Sequence, residues 1–443
     1  MKTSMRSTRT IATVMLSVAL LSALAACGST SAPPAATTTP SPTSTPVTPN
    51  GLFVAAGGMK ALDPATGHTL WEQSLVGSAW GAPVVSGTAV VQTTSITTSS
   101  PPHARLDAFN ATTGTPLWHQ ELGFDTQAFL GAAGTTLFVA TSAVSTTAPG
   151  APAGVTLSAL QSSDGHTLWK QTLADTDIFL PICASDGMVY LLTASSQGAY
   201  RVSAFHADTG APAWNKALGS GTALGFTSGS GGVYVSLTPG HIPAFWRPND
   251  STPAHSNALT ASMLQDNVTG AALTAYRAQD GAQLWQATGS ITVQMEADGA
   301  VYAIQGTPRS TGAATFTALA YDAQSGQQRW PSAQLGAGDL YQDKPVAVAS
   351  STAVYVFNAP MAAGDPHPRA YALQPASGAQ IWTNSLDAHV SDSAASATAV
   401  YVVAEHATPT NSTSTLMALT SASGAPLWQI PLTGFARIAL GYA

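Results

Sequence analysis

The sequence predicts an all-β fold, an eight-bladed β-propeller of four-stranded antiparallel blades, from three observations. One phrase recurs eight times at a period expected of propeller blades. Short β-rich stretches alternate with Gly, Ser, Thr and Pro throughout the recurring region. No amphipathic run long enough for the helices of a helical repeat is visible.

The phrase is plainest in ALDPATGHTLW, residues 61–71. Gly is followed four residues later by Trp eight times: Gly67 by Trp71, Gly114 by Trp118, Gly165 by Trp169, Gly210 by Trp214, Gly281 by Trp285, Gly326 by Trp330, Gly378 by Trp382 and Gly424 by Trp428. Eight of the 10 Trp therefore occupy one position. Ten residues before each stands an Ala: Ala61, Ala108, Ala159, Ala204, Ala275, Ala320, Ala372 and Ala418. A large apolar residue follows each Ala, and Thr, Ser or Asp precedes each Gly.

Taken in chain order, the first element is an export signal, residues 1–26. Lys2, Arg6 and Arg9 precede an apolar run from Ile11 to Ala26, which is short for a membrane span and ends in LAAC at Cys27. Of 15 basic and 22 acidic residues, those three bases are lost with the signal, leaving a net charge of −10. Such a surface does not seek nucleic acid. Residues 27–50 form a tether, with 17 of the 22 residues from Gly28 to Pro49 being Ser, Thr or Pro and none charged. In a polyproline-like form at about 3.1 Å per residue it reaches on the order of 70 Å. Cys183 is the only other cysteine, in the apolar run FLPICA, and reads as a buried small hydrophobe.

Residues 51–443 then hold the eight blades, at about 49 residues each. In the second blade GAPVVSG, TAVVQ, RLDAFN and PLWHQEL read as strands A, B, C and D, counted outward from the central axis. The Ala of the phrase lies on C and the Trp on D. Between them the Gly takes the positive φ of a hairpin turn, and the polar residue before it bonds the local backbone. The Trp is expected to fill the outer wedge between blades and bury one blade against the next, with the Ala leaving room for it. The repeats begin with a B strand at GLFVAAGG and end with a surplus strand in FARIALGYA. Phe435 to Tyr442 is therefore expected to pair beside Leu52 to Ala56 and close the ring.

This phrase resembles the tryptophan-docking repeat of PQQ-type propellers, the quinoprotein superfamily, whose Ala, Gly and Trp fall at the first, seventh and eleventh motif positions. All eight copies match, across residues 51–443. The family's Asp at the third position survives as Asp63 and Asp322 and is Asn110, Gln161, His206, Arg277, Gln374 or Thr420 elsewhere. LAAC likewise resembles a bacterial lipobox, which implies lipidation of Cys27 and an extracytoplasmic, membrane-anchored protein. Lipobox and eight repeats together resemble the BamB-type lipoproteins of outer-membrane β-barrel assembly.

That resemblance implies a non-catalytic scaffold binding an envelope or cell-surface protein, a monomer without cofactor. A PQQ-dependent oxidoreductase using calcium is the alternative, as is a surface module for glycan or cell-wall polymer. Against the oxidoreductase stand the lack of an adjacent Cys pair and of a clustered Asp/Glu/Asn set for calcium. His residues show no metal-ligand spacing. Neither a catalytic nor a metal-binding residue is assigned. The B–C links are long almost throughout, the longest following Leu237, where Trp214 and Trp285 stand 71 residues apart. Within it His241, Phe245, Trp246 and Arg247 are the candidate binding loop, of residue types favoured at interface hot spots.

Overall fold

A computed structural model describes residues 49–97, 103–124, 126–144, 152–173, 177–178, 182–195, 199–239, 271–308, 313–331, 333–339, 345–358, 368–407 and 412–442. Every regular element among them is a β-strand, arranged in eight antiparallel sheets, each a blade with strands A to D running outward. Blade 2 spans residues 78–124, blade 3 126–173, blade 4 177–220, blade 5 222–288, blade 6 291–339, blade 7 346–385 and blade 8 389–433. Each A strand contacts the A strands of the blades before and after it, so the eight sheets form a ring around one axis.

Blade 1 is built from both ends of the chain. Pro49–Ala55, Met59–Leu62 and Thr69–Gln73 supply strands B, C and D, and Arg437–Tyr442 is strand A. Leu52 pairs with Leu440 and Ala55 with Arg437, so the ring closes as expected. Two blades depart from the pattern. Strand A of blade 4 comes in two pieces, Asp177–Ile178 and Cys183–Ser185, both paired with Met188–Ala194. In blade 6, strand D begins only at Ala333, because Pro331 follows Trp330 directly and has no amide to give the ladder.

The register explains the repeated Ala. Across blade 4 Tyr190, Ala204 and Trp214 lie in one row on strands B, C and D. The same row of aromatic, Ala and Trp recurs as Phe53, Ala61 and Trp71 in blade 1 and as Phe138, Ala159 and Trp169 in blade 3. It returns as Tyr234, Ala275 and Trp285 in blade 5, as Tyr355, Ala372 and Trp382 in blade 7, and as Tyr401, Ala418 and Trp428 in blade 8. In these six blades the outer two rings meet over the Ala methyl, with centroids 5.9–6.0 Å apart. Any larger side chain on strand C would separate them. Blade 2 has Val91 in place of the aromatic, beside Ala108 and Trp118. All eight Ala are buried.

Each Trp also reaches the next blade. Trp71 Nε1 donates to the Ala111 carbonyl at 2.9 Å, Trp118 to Ser162 at 2.8 Å, Trp169 to Ala207 at 3.0 Å and Trp382 to Ser421 at 2.8 Å. Trp214, Trp285 and Trp330 do the same, and Trp428 closes the series on the Pro64 carbonyl of blade 1 at 3.1 Å. The acceptor always lies three residues before the repeat Gly. A Cβ on Gly67 would lie 2.7 Å from the Trp428 ring, so this Gly serves as the ring's seat as well as the turn's left-handed residue, at φ 73°. Only its conformational role is legible in the sequence.

Burial differs among the eight Trp. Trp71, Trp285, Trp330 and Trp382 are buried, whereas Trp118, Trp169, Trp214 and Trp428 are only half-buried. Strand D is the outermost strand of its blade, so the next blade covers one face of the ring and no fifth strand covers its outer edge. All eight rings therefore dock on the neighbouring turn, but four of them keep an edge in solvent.

Loss of the motif Asp in most blades leaves the turn intact. In all eight turns the third-position amide donates five residues ahead, and its carbonyl accepts from the Gly amide. The residue before Gly accepts from the amide two residues on in every copy, from Thr66 to Ser423. Asp63, Asn110 and Asp322 each add two further side-chain bonds to turn amides. In three of the other five copies the third-position side chain bonds the residue before Gly instead, Arg277 to Asp280, Gln374 to Ser377 and Thr420 to Ser423.

Cys183 is only partly buried as a residue, but its thiol packs against the core between blades 4 and 5. Burial pushes the thiol up to about 12.

Candidate functional site

The C–D and A–B turns are short and share one face of the ring, while the B–C and D–A links share the other. The candidate loop residues His241, Phe245, Trp246 and Arg247 lie outside the described residues, as does Cys27. What the structure describes on the second face is the strand ends and the D–A links. The B–C link of blade 1 is only Ala56 to Gly58, and those of blades 4, 6 and 8 are four residues each, so the long B–C links expected almost throughout are confined to blades 2, 3, 5 and 7. Beside the short link of blade 1, Val76, Trp80 and Phe435 are exposed at 62%, 42% and 57%.

These three residues stand on adjacent blades. Val76 and Phe435 lie in the D–A links leading into the A strands of blades 2 and 1, and those strands touch. Trp80 is the third residue of Ser78–Ser86, where the ladder slips between Trp80 and Val84. Buried Gln92 holds that slip, its amide donating to the Trp80 and Gly81 carbonyls at 3.1 and 3.3 Å. Trp80 is the second Trp outside the repeat, and its lack of a matching Ala and Gly was the one sequence signal pointing to it. Val76 and Phe435 carried none.

Charged groups flank the patch on both sides. On blade 2 Arg105 binds Asp107 at 2.7 Å and Glu121 at 3.6 Å, His103 meets Glu121 at 2.9 Å, and Thr94 donates to Asp107 at 3.0 Å. At the seam of blades 8 and 1, Arg437 approaches Glu405 at 3.6 Å and Asp392 accepts the Ile438 amide at 2.9 Å. Burial raises the Asp392 carboxyl above its usual range, against the lowering effects of that amide and of Arg437. His389 is lowered by burial, with Glu405 opposing. The face thus carries exposed apolar side chains on adjacent blades together with ion pairs on blade 2 and at the seam of blades 8 and 1, residue types found at protein interfaces.

Among the described residues no three of His, Cys, Asp and Glu come together to hold a metal ion. A cavity between blades 6 and 7, lined by Tyr302, Trp330, Val354 and Val356 among others, has room for little more than one water. Among the described residues no helix is long and apolar enough to cross a membrane.

The fold has counterparts among solved structures. BamB from Moraxella catarrhalis is 16% identical over 79% of this chain and 92% of its own, at a TM-score of 0.47. The computationally designed Ika8 protein is 14% identical over 81% and 91%, at 0.53. Dihydro-heme d1 dehydrogenase NirN, in complex with DHE, is 10% identical over 88% and 74%, also at 0.53. At such identities the likeness is one of fold, which scaffolds and enzymes share. No curated protein matches the sequence. The decisive comparison is with a family model, which matches residues 102–333 and 314–439, more than half of the 443 residues. With eight repeats, eight blades and that match in agreement, the chain belongs to the PQQ-type repeat propellers of the family described as outer membrane protein assembly factor BamB.

Proposed function

We propose that this protein is a lipid-anchored, extracytoplasmic, non-catalytic scaffold that holds an envelope or cell-surface protein on its loop-bearing face. The observation that carries the reading is the exposure of Trp80 and Phe435 beside the short B–C link of blade 1, with charged groups to either side. Exposed aromatics amid fixed charges are the composition of protein-binding surfaces. Family membership supports a scaffold and an envelope location. Cys27 carries the anchor, and residues 28–48 link it to the propeller. Phe245, Trp246 and Arg247, in the sequence between strands B and C of blade 5, would add residue types favoured at interface hot spots.

The test is capture of partners from envelope extract by full-length protein and by two variants, Trp80→Ala and the double variant Trp246→Ala, Arg247→Ala. Loss of the same captured protein in both, with melting unchanged, is the expected result. Retained capture with a lowered melting temperature would make these side chains structural and remove the basis for the reading.

A further inference from the structure

The residue before each repeat Trp is displaced from the ladder. In seven blades the register skips it: Ala61 pairs with Trp71 and Leu62 with Thr69, so Leu70 is the extra residue of a β-bulge. The same skip isolates Leu117, Leu168, Ala213, Leu284, Ile381 and Leu427. A bulge turns its side chain off the pleat. Leu70, Leu117, Leu168, Ile381 and Leu427 are exposed at 37–53%, and their blades, 7, 8, 1, 2 and 3, are consecutive around the ring. Blades 4 and 6 have Ala213 and Arg329 at this position, and in blade 5 Leu284 is packed against the core. Equivalent positions in a propeller lie at one height along its axis, so the five exposed side chains form a coplanar arc on the outer rim, next to the tight-turn face.

Charge divides that face along nearly the same line, offset by one blade. The A–B and C–D turns of blades 7, 8, 1 and 2 contain one carboxylate, Asp63, which is folded back onto the amides of Ala65 and Thr66. Glu72, two residues farther up strand D, is paired with Lys60 at 3.1 Å. The turns of blades 3 to 6 carry Asp164, Asp186, Asp208, Asp280, Asp298 and Asp322. Arg277 and Arg329 pair with only two of these, Asp280 and Asp322. The turns of blades 7, 8, 1 and 2 are therefore nearly neutral and rimmed by Leu70, Leu117, Ile381 and Leu427, and those of blades 3 to 6 are acidic, with Leu168 at the boundary beside Asp164.

Pro49 fixes what meets the neutral half. It pairs with Tyr442 at the end of blade 1 away from the B–C link, so the chain joins the propeller on the tight-turn face, at the middle blade of the arc. Residues 28–48 connect that point to Cys27. We propose that the arc of Leu70, Leu117, Leu168, Ile381 and Leu427 rests on the surface of the lipid bilayer that holds Cys27. The inference rests on the lipid-anchor reading above. A coplanar set of apolar side chains suits a flat apolar boundary, and anionic headgroups repel the acidic half. The propeller then tilts about blade 1 and turns its loop-bearing face toward the aqueous side.

Full-length lipidated protein carrying Leu70→Cys, Leu427→Cys or the control Asp280→Cys tests this. Each is reconstituted into vesicles of phosphatidylethanolamine and phosphatidylglycerol, and its maleimide labelling rate is compared with that in detergent. Cys183 adds little background, its thiol being pushed up to about 12. If the arc is covered nine-tenths of the time, labelling at residues 70 and 427 is about tenfold slower in vesicles, while labelling at residue 280 changes much less. Equal slowing at all three sites, with the protein floating with the vesicles, overturns the inference and leaves the anchor standing. Failure to float overturns the anchor and this inference with it.

Discussion

Gly281 and Gly187 hold nearly the same left-handed conformation, at φ 68° and 73°, in hairpin turns of neighbouring blades. An Ala at either meets the same backbone penalty, roughly 1–2 kcal/mol. Their surroundings differ. A Cβ added at Gly187 finds nothing within 4 Å, whereas at Gly281 it comes to 2.7 Å from Cε3 of Trp214. Trp214 has little room to retreat, because its Nε1 donates to the Ala278 carbonyl at 2.7 Å and its ring lies 6.0 Å from that of Tyr190. Displacing it adds roughly 1–3 kcal/mol of overpacking. Gly187→Ala should thus cost about 1–2 kcal/mol and Gly281→Ala about 2–5 kcal/mol. Urea unfolding gives the difference between them, and hydrogen exchange locates it. In an array stabilised by neighbour interfaces, faster exchange should be confined to blades 4 and 5. Equal losses of stability in the two variants would refute the idea that the repeat Gly seats the neighbouring Trp. So would exchange that rises equally in blades 8 and 1.

Cys27→Ser should release the protein from membranes or leave its signal uncleaved; unchanged membrane attachment on fractionation would refute the anchor. Removing residues 433–443 takes away strand A of blade 1 and uncovers Leu52 and Val54, which are fully buried. Aggregation or a much lower melting temperature is expected, and a truncated chain that melts like the parent would count against closure by this strand. Asp392→Asn should stabilise the seam by no more than about 1 kcal/mol at pH 7, since it removes a buried charge but keeps an oxygen for only one of the two amides, Ile438 and Ser393, that donate to it at 2.9 Å. The sign follows from the raised carboxyl: the folded state binds this proton more readily than the unfolded, so the ionised form costs stability above the folded pKa. The advantage of Asn should shrink as pH falls toward about 4, the range of a free carboxyl. Urea midpoints at both pH values decide it, and a less stable variant at neutral pH would show that the carboxylate holds the seam.

The fold was legible because the residues that build it repeat for reasons local to each blade. Ala must be small where rings from strands B and D meet over it, and Gly must take a left-handed turn. These demands act on residue type, so they survive in the sequence. How far each Trp is covered was not legible, since Trp118 and Trp382 sit in the same phrase and differ in burial. The aromatic partners on strand B were not legible as a row either, since Phe53, Tyr190 and Tyr401 stand 8, 14 and 17 residues before their Ala, the B–C links between them differing in length. Nor was the bulge at Leu70 and its counterparts. A bulge is a property of pairing, and a Leu between Thr and Trp reads as an ordinary alternating strand until the register shows that it has no partner.

The functional face was legible only in outline, for a related reason. Link lengths point to the face carrying the B–C loops, but exposure depends on what the neighbouring blade leaves uncovered. Leu386 and Val76 both lie in D–A links, one buried and the other open to solvent. Val76 stands beside the short B–C link of blade 1, a setting that no single repeat encodes. Charge on the opposite face behaves in the same way. Asp164 and Asp280 each fill the position before a repeat Gly, where Thr or Ser serves the turn equally well. The turn therefore does not select between a charged and a neutral residue there. The neutral choice in blades 7, 8, 1 and 2, above the point where the chain enters at Pro49, is a feature of the assembled ring, and a demand on that face is what would maintain it.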